Sequence, residues 1–243
     1  MMLMKKPIVT ICFLFMALFA EAQFFKNLGV KAGISNSYYE WKYRPNSVSN
    51  SVHNKSDKAI GLVFQLTSDL VDKKYWSVNI SLGWLQKNAG GTSSLLSNYP
   101  SPIYSIEDSY QTSYISANPS VKGKLPLGKI LNVYGQVGFN IDFMCSHSKN
   151  IESYFNENFF YTLQTNGELK KINYGFTFGP GIEKTFGRMT LRADYTFMRS
   201  FNNIIDATGP RLDGLGDQGF FLKMKSFTEL FTFSALFKMK TKN

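Results

Sequence analysis

The sequence predicts an all-β fold, an eight-stranded antiparallel up-and-down transmembrane β-barrel that follows a cleaved signal peptide. Three observations predict it. Apolar residues alternate with small or polar ones along about eight segments, each long enough to cross a bilayer as a tilted strand. The connections between those segments are alternately long and short. A short apolar leader precedes them, and no helical span follows it.

The leader comes first in the chain. Lys5 and Lys6 open a basic region, and an apolar run from Ile8 to Ala20 follows, ending in Ala20-Glu21-Ala22. A basic start, a short apolar core and a small-x-small end are the marks of a secretory signal peptide. The predicted organisation is a signal peptide over 1–22 and one barrel domain over 23–243. The run falls short of the roughly 20 residues that a spanning helix needs. Cys12 lies inside the run behind Ile11, where a lipoprotein signal needs a small residue. After cleavage Cys145 is the only cysteine, so the fold is not stapled by an internal disulfide. Hydrophobic residues at 44% and aromatic residues at 16% exclude a disordered chain. A mean hydropathy of -0.16 argues against a bundle of membrane helices.

Each strand is read from its period of two. The first, over 29–38, sets Val30, Ala32 and Ile34 against Lys31, Gly33 and Ser35. In the second, over 59–68, Ile60, Leu62, Phe64 and Leu66 oppose Gly61, Val63, Gln65 and Thr67. The third, over 75–87, has Trp76, Val78, Ile80, Leu82 and Trp84 opposite Ser77, Asn79 and Ser81. The fourth, over 114–124, has the weakest pattern, because Pro119 removes a ladder donor. The fifth, over 131–144, presents Val137, Phe139, Ile141 and Phe143 on one side and Gln136, Asn140 and Asp142 on the other. The sixth, over 173–186, sets Phe176, Phe178 and Ile182 against Thr177, Gly179 and Glu183. The seventh, over 188–199, opposes Leu191, Tyr195 and Phe197 to Arg192, Asp194 and Thr196, and the eighth, over 226–239, opposes Phe231, Phe233 and Phe237 to Thr232 and Ser234.

Alternation alone also fits a soluble sandwich or barrel. The connections decide between them. Segments 42–58, 88–112, 146–171 and 202–225 are long, whereas 71–74, 126–129 and the turn at Gly187 are short. In an up-and-down barrel this puts all long connections at one end and both termini at the other. Outer-membrane barrels share that asymmetry, with long loops outside and short turns in the periplasm. The two faces agree: the bulky aliphatic and aromatic side suits lipid, and the Gly, Ser, Thr and Asn side suits a narrow interior. Lys31, Lys122, Asp142, Glu183, Arg192 and Asp194 fall on the inward side. Their mixed signs predict a neutralised interior. Trp76, Trp84, Tyr38, Tyr39, Trp41 and Tyr195 lie near strand ends and are expected to form an interfacial aromatic girdle.

Several of these runs resemble the PorT-type outer-membrane β-barrel proteins. They are Leu28-Gly29-Val30-Lys31-Ala32-Gly33-Ile34-Ser35, Ser81-Leu82-Gly83-Trp84-Leu85-Gln86-Lys87, Phe178-Gly179-Pro180-Gly181-Ile182-Glu183, and Leu191-Arg192-Ala193-Asp194-Tyr195 with Asn202-Asn203-Ile204. The resemblance covers most of the mature chain. It implies a barrel in the cell outer membrane with both termini in the periplasm, and some members of that family assist protein secretion. It brings no catalytic motif. Such barrels often end on an aromatic residue, whereas here Lys238-Met239-Lys240-Thr241-Lys242-Asn243 follows Phe237.

The expected function is therefore a non-enzymatic structural or interaction barrel, with a small passive pore as the alternative. Ser146-His147-Ser148 is the only hint of a rim hydrolase, and nucleophilic catalysis needs a base oriented by a third group. No catalytic, cofactor or metal site is expected: His53 and His147 are the only histidines, and Asp206, Asp213 and Asp217 are spaced too loosely for calcium. The net charge of +10 is dispersed rather than clustered. Outer-membrane lipid and lipopolysaccharide are the expected counterions rather than nucleic acid, with envelope or secretion proteins as further partners. One loop stands out. Tyr154, Phe155, Phe159, Phe160 and Tyr161 crowd the connection between the fifth and sixth strands. Such a cluster is unexpected in a solvated loop. Either it extends those strands as a hairpin, with Asn166-Gly167 as the turn signal, or it docks a partner.

Overall fold

The computed structural model describes residues 25–45, 52–95, 104–128, 130–155, 158–165, 170–209 and 220–239. The leader and Asn166-Gly167 lie outside the described residues. The strands are β1 (Asn27–Pro45), β2 (Val52–Lys55), β3 (Asp57–Asp72), β4 (Trp76–Leu95), β5 (Tyr104–Leu127) and β6 (Leu131–Phe155), then β7 (Asn158–Thr165), β8 (Ile172–Phe186), β9 (Met189–Ser200), β10 (Ile205–Gly209) and β11 (Phe220–Lys238).

Eight of them form the wall, in the order β1, β3, β4, β5, β6, β8, β9, β11, each antiparallel to its neighbour. The sheet closes where β11 returns to β1, from Asn27 opposite Lys238 to Pro45 opposite Phe220. The predicted fold class holds. Closure removes both sheet edges, as lipid demands of any spanning sheet.

The three remaining strands continue the wall above the level where other strands stop. Along β1, pairing with β3 ends at Ser37 opposite Ala59, and β2 takes over at Glu40 opposite Lys55. Along β6, β8 ends at Phe143 opposite Ile172, and β7 resumes at Lys149 opposite Thr165. Along β11, β10 succeeds β9. All three lie at the end with the long connections. At the opposite end the turns are tight: the Lys73 amide bonds the Trp76 carbonyl at 2.9 Å. Gly187 takes φ 58, a left-handed conformation that side chains rarely adopt. The first and last strands meet there too, with the Met239 amide on the Lys26 carbonyl at 2.9 Å.

The burial pattern alternates as the sequence does. On the outward face Ile60 is 67% exposed and Phe233 71%; the inward Ser77, Asp142 and Thr232 are buried. An apolar band of this size is a membrane surface rather than a soluble one. Pro119 faces outward, and the β5–β6 ladder skips from Ala117–Ile141 to Ser120–Gly138 to accommodate its missing donor.

One expectation needs correction. Tyr39 does not join an outer aromatic girdle: it points inward and is fully buried, one residue out of phase with the outward Tyr38. The turn expected at Asn166-Gly167 lies outside the described residues. Tyr154 pairs with Phe159 and Phe155 with Asn158, so the chain reverses within the aromatic cluster itself.

The seam between first and last strands is tightly packed. A Cβ on Gly33 would fall against the Phe231 carbonyl oxygen and the Thr232 Cα, and backbone there cannot shift without loosening the ladder. Gly33→Val is expected to block closure. Heat-modifiable gel mobility in detergent checks it: the variant should give little of the folded, faster-migrating band.

Candidate functional site

The lumen is the part of the molecule built from functional side chains, and it is layered. Its lowest layer, at the short-turn end, is an ion network. Arg192 of β9 makes a two-pronged contact with Asp69 of β3, Nη1 to Oδ1 at 2.9 Å and Nη2 to Oδ2 at 2.7 Å. Its Nε donates to Glu183 of β8 at 2.9 Å. Glu183 also meets Lys124 Nζ at 2.8 Å, and Lys124 reaches Asp72 at 2.6 Å. Asn27 donates to both Asp69 and Asp72, at 2.8 and 3.0 Å. Beside this chain the Tyr134 hydroxyl donates to Asp194, and Lys122 lies 3.8 Å from the same carboxylate and over the Tyr134 ring. The Tyr134 ring occupies the space that a side chain at Gly181 would fill.

Four acids, Asp69, Asp72, Glu183 and Asp194, thus share the layer with three bases, and Lys31 enters just above as a fourth. A buried charge is tolerated only when it is paired and hydrogen-bonded. Lys31 lines a small cavity of about 20 Å³ with Asn79, Gln136 and Thr196, room for one or two waters. Over it lies an apolar layer of Val63, Leu85, Met198 and Leu230.

A second ion pair sits higher. Lys87 Nζ is 2.7 Å from Asp142 Oδ2, both buried. Ser116 and Asn140 donate to the same carboxylate at 2.6 and 2.7 Å. The top layer is apolar again: Tyr39, Ala89, Tyr110, Ile204 and Met224 pack together with Met144 against them.

All six charges expected inside, Lys31, Lys122, Asp142, Glu183, Arg192 and Asp194, are buried in the lumen. Four partners escaped the sequence reading: Asp69, Asp72, Lys87 and Lys124. Lys87 shares the odd parity of Ser77 and Ser81, and Lys124 the even parity of Lys122, so the alternation already carried them. Asp69 and Asp72 were hidden by a register shift between Asp69 and Val71, which leaves Thr67, Ser68 and Asp69 all buried.

The hydrolase constellation does not assemble around Asp142. That carboxylate is engaged by Lys87, Ser116 and Asn140, while His147 Nδ1 lies 2.9 Å from Thr112 Oγ1 and stacks on Tyr110. Cys145 is exposed and free. Of the aromatic cluster, Tyr154, Phe155, Phe159, Phe160 and Tyr161 lie in strand, and all but Phe160, at a register shift, are paired in the β6–β7 hairpin.

Comparison with known proteins gives one match to a family. The outer membrane protein beta-barrel domain matches residues 8–216. No curated protein matches the chain. Among solved structures, the outer membrane protein OprG from Pseudomonas aeruginosa overlaps with a TM-score of 0.47 at 13% identity, over 89% of this chain and 99% of that one. Ail, the attachment invasion locus protein of Yersinia pestis, gives 0.32 at 14% identity, over 85% and 98%. The outer membrane protease OmpT from Escherichia coli gives 0.42 at 8% identity, over 88% and 96%.

Arg192 holds two carboxylates from two strands. Arg192→Met is expected to destabilise the barrel by about 3–5 kcal/mol, the cost of leaving buried charge unpaired. The double variant Arg192→Met/Asp69→Asn should regain part of that loss, because the orphaned carboxylate is gone. Urea unfolding of the protein in lipid vesicles measures both.

Proposed function

The chain belongs to the outer membrane protein beta-barrel domain family, and on that premise we propose that it serves as a non-enzymatic structural or interaction barrel with a closed lumen. One observation carries the reading. From bottom to top the lumen holds a paired ion layer, an apolar layer, a buried Lys87–Asp142 pair and an apolar cap around Tyr39 and Tyr110. A solute path needs a continuous polar opening, and a passive pore keeps its lumen wet. These layers favour a plug.

The orientation belongs to the same proposal. The short turns and both termini face the periplasm, and the long connections with β2, β7 and β10 stand outside. Residues 1–22 act as the removed signal peptide, so the mature protein begins at Gln23. Kinship with the PorT-type barrels, carried by the runs at 28–35, 81–87, 178–183 and 191–195, points to an accessory of secretion or envelope assembly. The protruding β6–β7 hairpin supplies the docking element. Tyr154, Phe155, Phe159, Phe160 and Tyr161 recur there in a segment that the membrane does not need.

Planar-bilayer recording of the purified protein is expected to show no large, stable conductance steps. Solute-sized openings would reverse the choice in favour of the pore. For the hairpin, Phe159→Ser/Phe160→Ser is expected to leave the folded band unchanged while a co-purifying envelope protein is lost. A loss of barrel stability with every partner retained would instead assign those rings to packing.

A further inference from the structure

On the outer wall, where β1 and β11 close the barrel, three cations converge on one aromatic pair. Tyr38 of β1 and Phe227 of β11 are directly opposed in the ladder, their rings stacked with centroids 5.0 Å apart and 3° between planes. Lys55 Nζ lies 3.9 Å from the Tyr38 centroid and Lys58 Nζ 5.8 Å. On the other side Arg199 of β9, paired with Phe227, lies 5.2 Å from the Phe227 centroid. Lys225 is next on the same face, opposite Glu40. The acids of this patch are Glu229, 2.6 Å from Lys58, and Glu40, which the ladder sets between Lys55 and Lys225. Four bases against two acids leave the patch positive.

Its height on the wall matters. β9 ends one residue beyond Arg199, and β3 begins one residue before Lys58, so the cluster marks the upper rim of the apolar band. Directly below, the same strands present Ile60 at 67%, Ile34 at 42% and Phe231 at 52% exposure. Anionic headgroup above and hydrocarbon below is the pattern of a membrane lipid, not of a soluble anion or a peptide. Cations held against aromatic faces are attracted by the ring quadrupole and so preset in position. Arg presents a fork of donors that matches phosphate oxygens. The exposed Lys58–Glu229 pair is weak and yields readily to a doubly charged phosphate.

We infer that Lys55, Lys58 and Arg199, on the Tyr38–Phe227 platform, form a binding site for the phosphate groups of a phosphorylated glycolipid in the leaflet on the long-connection side. The occupant's acyl chains lie on Ile34, Ile60 and Phe231. The site goes beyond the interaction role proposed above, and it requires neither the hairpin nor a protein partner.

The test uses the full mature protein in detergent, with native mass spectrometry and two probes: bisphosphorylated lipid A and the same glycolipid with both phosphates removed. The expected result is retention of the phosphorylated form alone. Lys55→Gln/Lys58→Gln/Arg199→Gln should weaken that retention by about tenfold or more through loss of charge-assisted contacts. Lys73→Gln/Lys74→Gln, at the opposite rim, should bind as the parent does. Equal binding of the two lipids by the parent protein, or equal retention by the triple variant, overturns the assignment. Should the triple variant fail to give the folded gel band, Arg199→Gln alone and the two-lipid comparison decide. The measurement is blind to orientation in the cell. Its failure is therefore distinct from failure of the proposed topology, which protease cleavage of the long connections on whole cells reads separately.

Discussion

In hydrocarbon there is no water to satisfy a peptide group, and each unpaired N–H or C=O costs several kcal/mol. The pairing of β1 with β11 meets that constraint, and the rest of the molecule depends on it. An open sheet would leave the membrane-level donors and acceptors of β1 and β11 facing lipid. Closure also dictates the small features of the seam, where Gly33 lies against the carbonyl of Phe231. It brings the start of β1 and the end of β11 to one rim, where the Met239 amide and Lys26 carbonyl meet. With an even number of wall strands, alternate connections must fall at the same end, so the chain has one end of tight turns and one end free to elaborate.

Closure then creates a second problem, because eight tilted strands enclose a lumen too narrow for bulk water. The outside must be apolar, so the inside inherits the polar residues and becomes a core turned inside out. Hydroxyls and amides fill it easily. Charges need partners, and the low layer provides them through one guanidinium bridging β3 and β9 to β8. Such pairs are weak evidence for stability, since desolvation offsets much of their attraction. Their firmer consequence is specificity. Arg192, Asp69 and Glu183 satisfy one another only in this register, and a one-residue slip of β9 would turn Arg192 toward lipid.

Much of this was legible in the residues because a membrane barrel obeys two sharp rules, alternation and loop sorting. Ile60 and Phe233 could face nothing but lipid once Gln65 and Thr232 were placed inside. What escaped were interruptions of the period. The shift after Asp69 disguised the main partner of Arg192. Tyr39 looked like a rim aromatic by proximity to Tyr38 and Trp41, but parity, not position near a strand end, governs direction. In the β6–β7 hairpin Tyr154 stands opposite Phe159, a pairing that alternation alone did not predict. The apolar layer of Val63, Leu85, Met198 and Leu230 was visible only residue by residue, since each interrupts an otherwise mostly polar face of its own strand.

The two ends of the barrel differ in what the membrane requires of them. About 9–11 residues suffice for a tilted crossing, yet β5 has 24 and β6 has 25. Most of the excess lies at the long-connection end, where β2, β7 and β10 keep the ladder going. Fixing a residue in a strand costs roughly 1–2 kcal/mol of backbone entropy, and lipid returns nothing for strands that stand above it. The short-turn end shows the opposite economy, with turns of only a few residues and an ion layer that seals the lumen beneath Lys31. Residues retained in ordered strands beyond the bilayer need another source of stability, and here it is visible within the protrusion. Tyr39, Tyr110, Ile204 and Met224 close over the lumen at that level, and Thr112 joins Tyr39 to His147. The same packing that caps the barrel therefore supports a raised platform, which carries the β6–β7 hairpin clear of the membrane.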